Sequence, residues 1–338
     1  MINVPGLRIG HATDLCAQTG VTVFLPDAPA VAAVHVSGGA PATRETDLLR
    51  LENLVERVDA ILLSGGSAFG LAAAEGVVQW LAARGRGFRV GSFHVPIVPA
   101  ASLFDLASGG DKSALTPENF ASFYAALGAA ACEVAGTQAA TGSVGAGTGA
   151  TIADLKGGFG AATATLGDGT TVAAFVAVNA IGRVTLGASP YFRAAPFEID
   201  AEFGGLGLPS PLAADAATPV MKQAATTHAS TTLAVVATDA SLTRPEAKRV
   251  AIAAHDGIAL GIYPAHTPFD GDTVFALATG KRPDSGEPQA LAALCAAASA
   301  TLARAIARAV FAAEPAPGDT LPTWRERYGG KPPPIDAP

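Results

Sequence analysis

The chain is short of charge, of cysteine and of long apolar runs, and each shortage removes a class of function. Only 15% of its 338 residues are charged, and the formal net charge is -7. No run of Lys and Arg stands out, and phosphate binding needs a clustered positive footprint, so no nucleic-acid partner is expected. Three cysteines, Cys16, Cys132 and Cys295, are odd in number and lack CxxC spacing. That pattern fits a reducing compartment, argues against a disulfide or thiolate zinc framework, and reads all three as small core residues. The mean hydropathy of +0.35 comes from dispersed Ala, Val and Leu. No uninterrupted apolar stretch reaches the roughly 18 to 20 residues of a membrane helix, so no membrane span is expected. The opening MINVPGLRIGHATD has neither the basic nor the apolar region of a secretion signal. The expectation is a cytoplasmic chain.

What is present is small and apolar. At 49% hydrophobic residues the chain can bury one large or two medium cores. The runs 29–36 and 59–66 read as strands, and 67–85 as a helix with Ser67 at its cap. A second helix is expected over 115–136, opened by Thr116 and Pro117. The glycine-rich block 142–184 alternates Thr, Val and Ala between turns, as adjacent strands of a sheet do. Periodicity is lost from about 201 to 230, a stretch rich in Ala, Pro, Gly and Thr, and 202–230 reads as a flexible junction. A strand over 232–239, a helix over 243–263 introduced by Thr243, a strand over 273–280 and a helix over 287–312 follow. A Pro-rich tail, 314–338, is expected to be surface-bound or mobile. The alternation indicates α/β or α+β architecture.

Chemistry can be looked for at a few positions. Thr231 opens an apolar strand directly after the junction. It is either a β-favouring residue entering the core or, if the chain were cut after Ser230, a new amino terminus. In the second case a single residue would carry a hydroxyl nucleophile and an α-amine of pKa about 7.7 to 8.0 to act as its base. Asp270 and Asp272 flank Gly271 in a tight turn before a strand. Both carboxylates could face one pocket, where like charge raises the pKa of one of them, or the residues could simply make a good turn. His266 could join them at a metal, but no second and third His stand at ligand spacing, so no metal and no cofactor is expected. Asn179 ends an apolar run and could donate to an oxyanion or cap a turn. Lys156 could stabilise negative charge or lie solvated. The glycines at 145, 147 and 149 lack dinucleotide-loop spacing and suggest close backbone approach to a substrate. GGSAFG, around Ser64 and Ser67, is not a nucleophile elbow. His11, His35 and His94 read as packed or hydrogen-bonded imidazoles, and His255, near a helix end, reads either way.

Six ordered blocks then stand together: VPGLRIGHATD, LLSGGSAFGLAAAEGV, VPIVPAASLFDL, SVGAGTGATIADLKGG, STTLAVVATDA and AHTPFDGDTVFALATG. With them the chain resembles the DmpA-type P1 aminopeptidases, peptidase family S58, which include the nylon-oligomer endo-hydrolases. The resemblance spans most of the chain. It implies a four-layer αββα sandwich like that of the N-terminal-nucleophile hydrolases. It also implies autoproteolysis into a piece 1–230 and a piece beginning at Thr231, the two staying associated, with a homo-oligomer, a tetramer first, as the assembly. Asp270 and Asp272 match the acidic pair of the nylon-oligomer branch, Asn179 resembles the oxyanion-site Asn, and Lys156 matches more loosely because its loop is shorter. Ser230 departs from the Asn or Gly that usually precedes the nucleophile, which implies slower maturation. The implied activity is hydrolysis of a small peptide or an ω-amino-acid amide through an acyl-enzyme. Aminopeptidase action on short or β-amino-acid peptides is one alternative, and a binding protein retaining the fold is another.

Overall fold

The computed structural model describes residues 3–222, 230–283 and 287–329. Two sheets lie face to face. The first has the order β1 (Leu7–Asp14), β2 (Thr19–Pro26), β6 (Ile61–Ser64), β9 (Ala100–Ser102), β4 (Thr43–Arg44). The second runs β10 (Gly158–Thr165), β11 (Thr171–Asn179), β12 (Thr231–Ala240), β13 (Thr273–Arg282), β3 (Ala30–Val36), β5 (Arg57–Val58). Strands β7 (Phe88–Val90) and β8 (Phe93–Val95) pair as a separate hairpin. Helices α2 (Ala73–Ala82) and α3 (Phe120–Glu133) pack on the first sheet; α4 (Arg244–Gly261) and α5 (Pro288–Phe311) pack on the second. This is the expected αββα sandwich.

Three apolar layers separate these four, and strand alternation feeds them. In β12, Leu233, Val235 and Ala237 enter the layer between the sheets, while Ala234 and Val236 face α4 and α5. In β6, Ile61 and Leu63 take the middle layer and Leu62 the outer one. A strand buried on both faces reads as a continuous apolar run, which is why ILL and LAVVA are legible as strands. Small residues let α5 lie close on its sheet: a Cβ at Gly160 would stand 2.0 Å from the Ala305 carbonyl oxygen.

Several expectations need correction. The helix expected over 67–85 is two, α1 (Ser67–Gly70) and α2. Gly66 precedes α1 at φ 80° and Ser67 itself sits at φ 55°, with no side-chain cap. The helix expected from 115 begins at Phe120, because the Asn119 side chain accepts the Thr116 N–H at 2.8 Å and closes a turn ahead of it. Cys16 is exposed, not core. By length and composition α5 is apolar enough to cross a membrane, although Ser299, Thr301 and Arg304 interrupt its apolar run. Its buried side, with Leu294, Leu302, Ile306 and Val310, is the floor of the outer layer beneath β10 and β11. The tail carries a capped helix, α6 (Trp324–Tyr328), whose Trp324 stacks on Phe192 with ring centroids 5.5 Å apart. Residues 330–338 lie outside the described residues, as do 223–229 of the junction. Strands β1 and β2 form an antiparallel hairpin that the sequence reading left unassigned.

Candidate active site

Thr231 and the Asp270–Asp272 turn are distant in sequence and meet through strand pairing. β12 and β13 are parallel neighbours with Leu233 opposite Thr273, so both strands start at one edge of the sheet. Parallel strands need a crossover, and α4 supplies it. An isolated parallel bridge extends the pairing to Ser230 and Asp270. On the other side β11 runs antiparallel, and its last residue, Asn179, lies opposite Thr231. Adjacency of strand ends therefore gathers Thr231, Asn179 and the acidic turn.

The centre is buried: Ser230 is 2% exposed, Thr231 6%, Asn179 0%, Asp270 and Asp272 1% each. The Thr231 hydroxyl donates to the Ser230 carbonyl oxygen at 2.5 Å, and the Gly271 N–H donates to the same oxygen at 2.9 Å. Two donors on one peptide carbonyl polarise it toward attack at carbon. The turn is clamped by the segment that follows β3: Ser37 N–H donates to the Asp272 carbonyl at 3.0 Å and Ala40 N–H to the Asp270 carbonyl at 2.8 Å. Gly38 must lack a side chain there, since its Cβ would stand 2.2 Å from the Asp270 carbonyl oxygen.

The two carboxylates have different partners. Asp272 accepts the Thr232 N–H at 2.8 Å on one oxygen, and on the other the His266 N–H at 3.1 Å and ring Nδ1 at 2.8 Å. Asp270 accepts the Thr267 N–H at 2.8 Å and hydroxyl at 2.7 Å. Burial, and then the charge of Asp272, raise the Asp270 pKa above the ordinary carboxylate range. A raised pKa favours the protonated form of the Asp270 carboxyl.

Asn179 donates from Nδ2 to the Phe104 carbonyl at 3.0 Å, and its Oδ1 accepts the Thr151 N–H at 3.0 Å. The same Oδ1 and the Asn179 main-chain carbonyl accept from the Lys222 ammonium at 2.9 and 3.0 Å. Lys222 is 6% exposed. Burial lowers its pKa to about 7, against a smaller upward pull from Asp270. Lys156 is directed elsewhere: its ammonium pairs with Asp319 at 2.8 Å. Sequence reasoning missed Lys222. The available signal was its isolation, as the one Lys or Arg between Arg193 and Arg244.

His266 was considered as a metal ligand; it binds Asp272 instead, and no metal-binding group of His, Cys, Asp and Glu occurs among the described residues. The glycines near 147 are packing positions, in place of the expected approach to a substrate. Gly145 N–H goes to the Thr13 hydroxyl at 2.8 Å, and a Cβ at Gly147 would stand 2.2 Å from the Phe159 nitrogen.

Against this geometry, the model of peptidase family S58 matches residues 1–321. The chain belongs to that family. An uncharacterized aminopeptidase of Mycobacterium tuberculosis is 45% identical over 357 residues, covering 97% of each chain. The 6-aminohexanoate-oligomer endohydrolase of Paenarthrobacter ureafaciens is 30% identical over 286 residues, covering 81% of this chain and 73% of that one. Among solved structures, the L-aminopeptidase D-Ala-esterase/amidase of Ochrobactrum anthropi, described as a variant of the Ntn-hydrolase fold, superposes with a TM-score of 0.69 at 20% identity, covering 97% and 94% of the chains. A Burkholderia β-aminopeptidase reaches 0.67 at 24% identity over the same shares. The S58 member described here is thus an amide-bond hydrolase with an Ntn-like sandwich.

Proposed function

We propose that this S58 hydrolase cuts its own chain between Ser230 and Thr231 and then uses Thr231 as an amino-terminal nucleophile. The observation that carries this reading is the convergence of the Thr231 hydroxyl and the Gly271 N–H on the Ser230 carbonyl. In maturation Thr231 Oγ1 attacks that carbonyl carbon and the peptide nitrogen leaves as the α-amine of Thr231. Water then hydrolyses the resulting ester and leaves a carboxylate on Ser230. In turnover the α-amine takes the hydroxyl proton, Oγ1 attacks the substrate amide, and water resolves the acyl-enzyme. The Gly271 N–H, left without the Ser230 carbonyl, would then be available to a substrate oxyanion. Asn179 and Lys222 supply further polar groups beside the nucleophile, with Lys222 taking the part that sequence resemblance gave to Lys156.

The substrate class we favour is a small oligoamide of ω-amino acids or a similar amide, over peptides recognised by their α-ammonium. Both acidic side chains are engaged by the chain's own donors at Thr232, His266 and Thr267. Assay of purified protein and T231A on 6-aminohexanoate oligomers and on α- and β-aminoacyl anilides tests this. Turnover of the oligomers that T231A lacks is expected; preference for α-aminoacyl anilides would reverse the substrate assignment, and equal turnover by T231A would remove the nucleophile. A homotetramer is the proposed assembly, to be read by light scattering.

A further inference from the structure

His266 places two donors on one carboxylate oxygen, its backbone N–H and its ring Nδ1 both reaching Asp272 Oδ2. It does so from φ 56°, a left-handed backbone that a non-glycine residue rarely adopts. The other oxygen of Asp272 holds the Thr232 N–H. Thr232 follows Thr231, so a hydrogen-bonded line runs from the imidazole through the carboxylate to the backbone beside the hydroxyl. A carboxylate only 1% exposed depends on such partners, because buried polar oxygens left without donors are costly.

The groups facing His266 come from three elements: Asp270 and Asp272 from the turn, His255 from α4, and His35 from β3, with Lys248 of α4 beside His35. The His266 and His255 rings meet edge-on at 4.9 Å, and those of His255 and His35 at 5.1 Å. Burial lowers the His255 pKa to about 4, so this imidazole is neutral, with Nε2 2.9 Å from the His35 carbonyl. His35 is lowered by burial and then by Lys248 and His266. For His266 the lowering by burial is outweighed by the hydrogen bond and charge of Asp272, and the net shift is upward. Of the three rings, His266 is the one whose pKa is shifted upward.

We propose that His266 is a positioning residue for the Thr231 centre: with two donors on one oxygen of Asp272 it fixes the carboxylate whose other oxygen registers the Thr232 N–H. The inference rests on the reading of Thr231 as nucleophile. The upward shift means that the charged pair is complete below the ordinary value of 6.5 and is lost as pH rises through the raised one.

H266N and H266Q separate the parts of this role. Asn carries its amide nitrogen near the position of Nδ1, tolerates the left-handed backbone and bears no charge; Gln carries its amide one bond too far. H266Q should slow self-cleavage and lower kcat by about tenfold or more with KM within about twofold, as loss of a charged hydrogen bond does. H266N should keep most of kcat, because its uncharged amide still donates to Asp272 in place of Nδ1. Wild-type kcat in H266Q, or equal damage in both variants, overturns the proposal. If H266Q fails to fold, NMR titration of His266 in the full-length T231A protein decides: a midpoint above 6.5 that falls in the D272N background supports the pair, and one at or below 6.5 overturns it. Should the wild type stay uncut and match T231A, the nucleophile reading is what fails, and the titration still reports on His266.

Discussion

At Thr231 two donors share one carbonyl oxygen, and the second depends on a glycine. A Cβ at position 271 would stand 2.7 Å from Thr231 Oγ1 and 3.0 Å from the Ala40 carbonyl oxygen, so the turn or the hydroxyl would have to move. G271A is expected to slow self-cleavage ~10- to 100-fold, the equivalent of ~1–3 kcal/mol of overpacking, read as the cut fraction over time by mass spectrometry. At Lys222 the folded value of about 7 lies below the ordinary 10.5. The unfolded chain therefore binds the proton between those values and the folded chain does not. Its contribution to stability is present above 10.5 and lost as pH falls to about 7. K222M should flatten the rise of urea midpoints with pH over that window; an unchanged slope would remove the buried amine from the account. The same variant should also slow self-cleavage, because it removes the Lys222 contacts that hold Asn179 opposite Thr231. Thr231, Asn179, Asp270 and Asp272 were legible because each stands at a strand end or a turn, where local pattern speaks. The contacts of Lys222 and His266 were not, because each is defined by partners brought in by the fold.

At the scale of elements, the decisive unit is β12, α4 and β13. The apolar runs of both strands and the Thr243 capping box of α4, with Glu246 at its third position, were readable in the sequence. Their parallel pairing, which puts Thr231 beside Gly271, is a consequence of the crossover and leaves no local mark. The split of the helix expected over 67–85 was equally hidden, since it turns on the backbone of Gly66 and Ser67 and not on apolar spacing. Leu233, 1% exposed in the layer between the sheets, anchors the start of β12 two residues after Thr231. L233A is expected to lower unfolding free energy by ~2–5 kcal/mol in urea titration. A loss much below that range would mean that the two sheets do not pack across this strand as described.

At the scale of the molecule, a cut before Thr231 would leave two interleaved pieces. In the second sheet β12 and β13 lie between β11 and β3, so the piece beginning at Thr231 would contribute the two inner strands of a sheet whose outer strands belong to the other piece. Backbone ladders on both sides and α4 and α5 packed over them should hold the pieces together. They are expected to co-elute in native gel filtration and to part only in denaturant; separation without denaturant would contradict this topology. The sandwich was legible from its six sequence blocks, whereas the docking of α6 through Trp324 on Phe192 was not, because its aromatic partners come from far along the chain. The measurement that bears most directly on the whole account is the intact mass of the purified protein under denaturing conditions, with amino-terminal sequencing of any smaller piece. The account predicts two masses, with the smaller piece beginning at Thr231. A single full-length mass in catalytically active protein, or a cut at another bond, would contradict it.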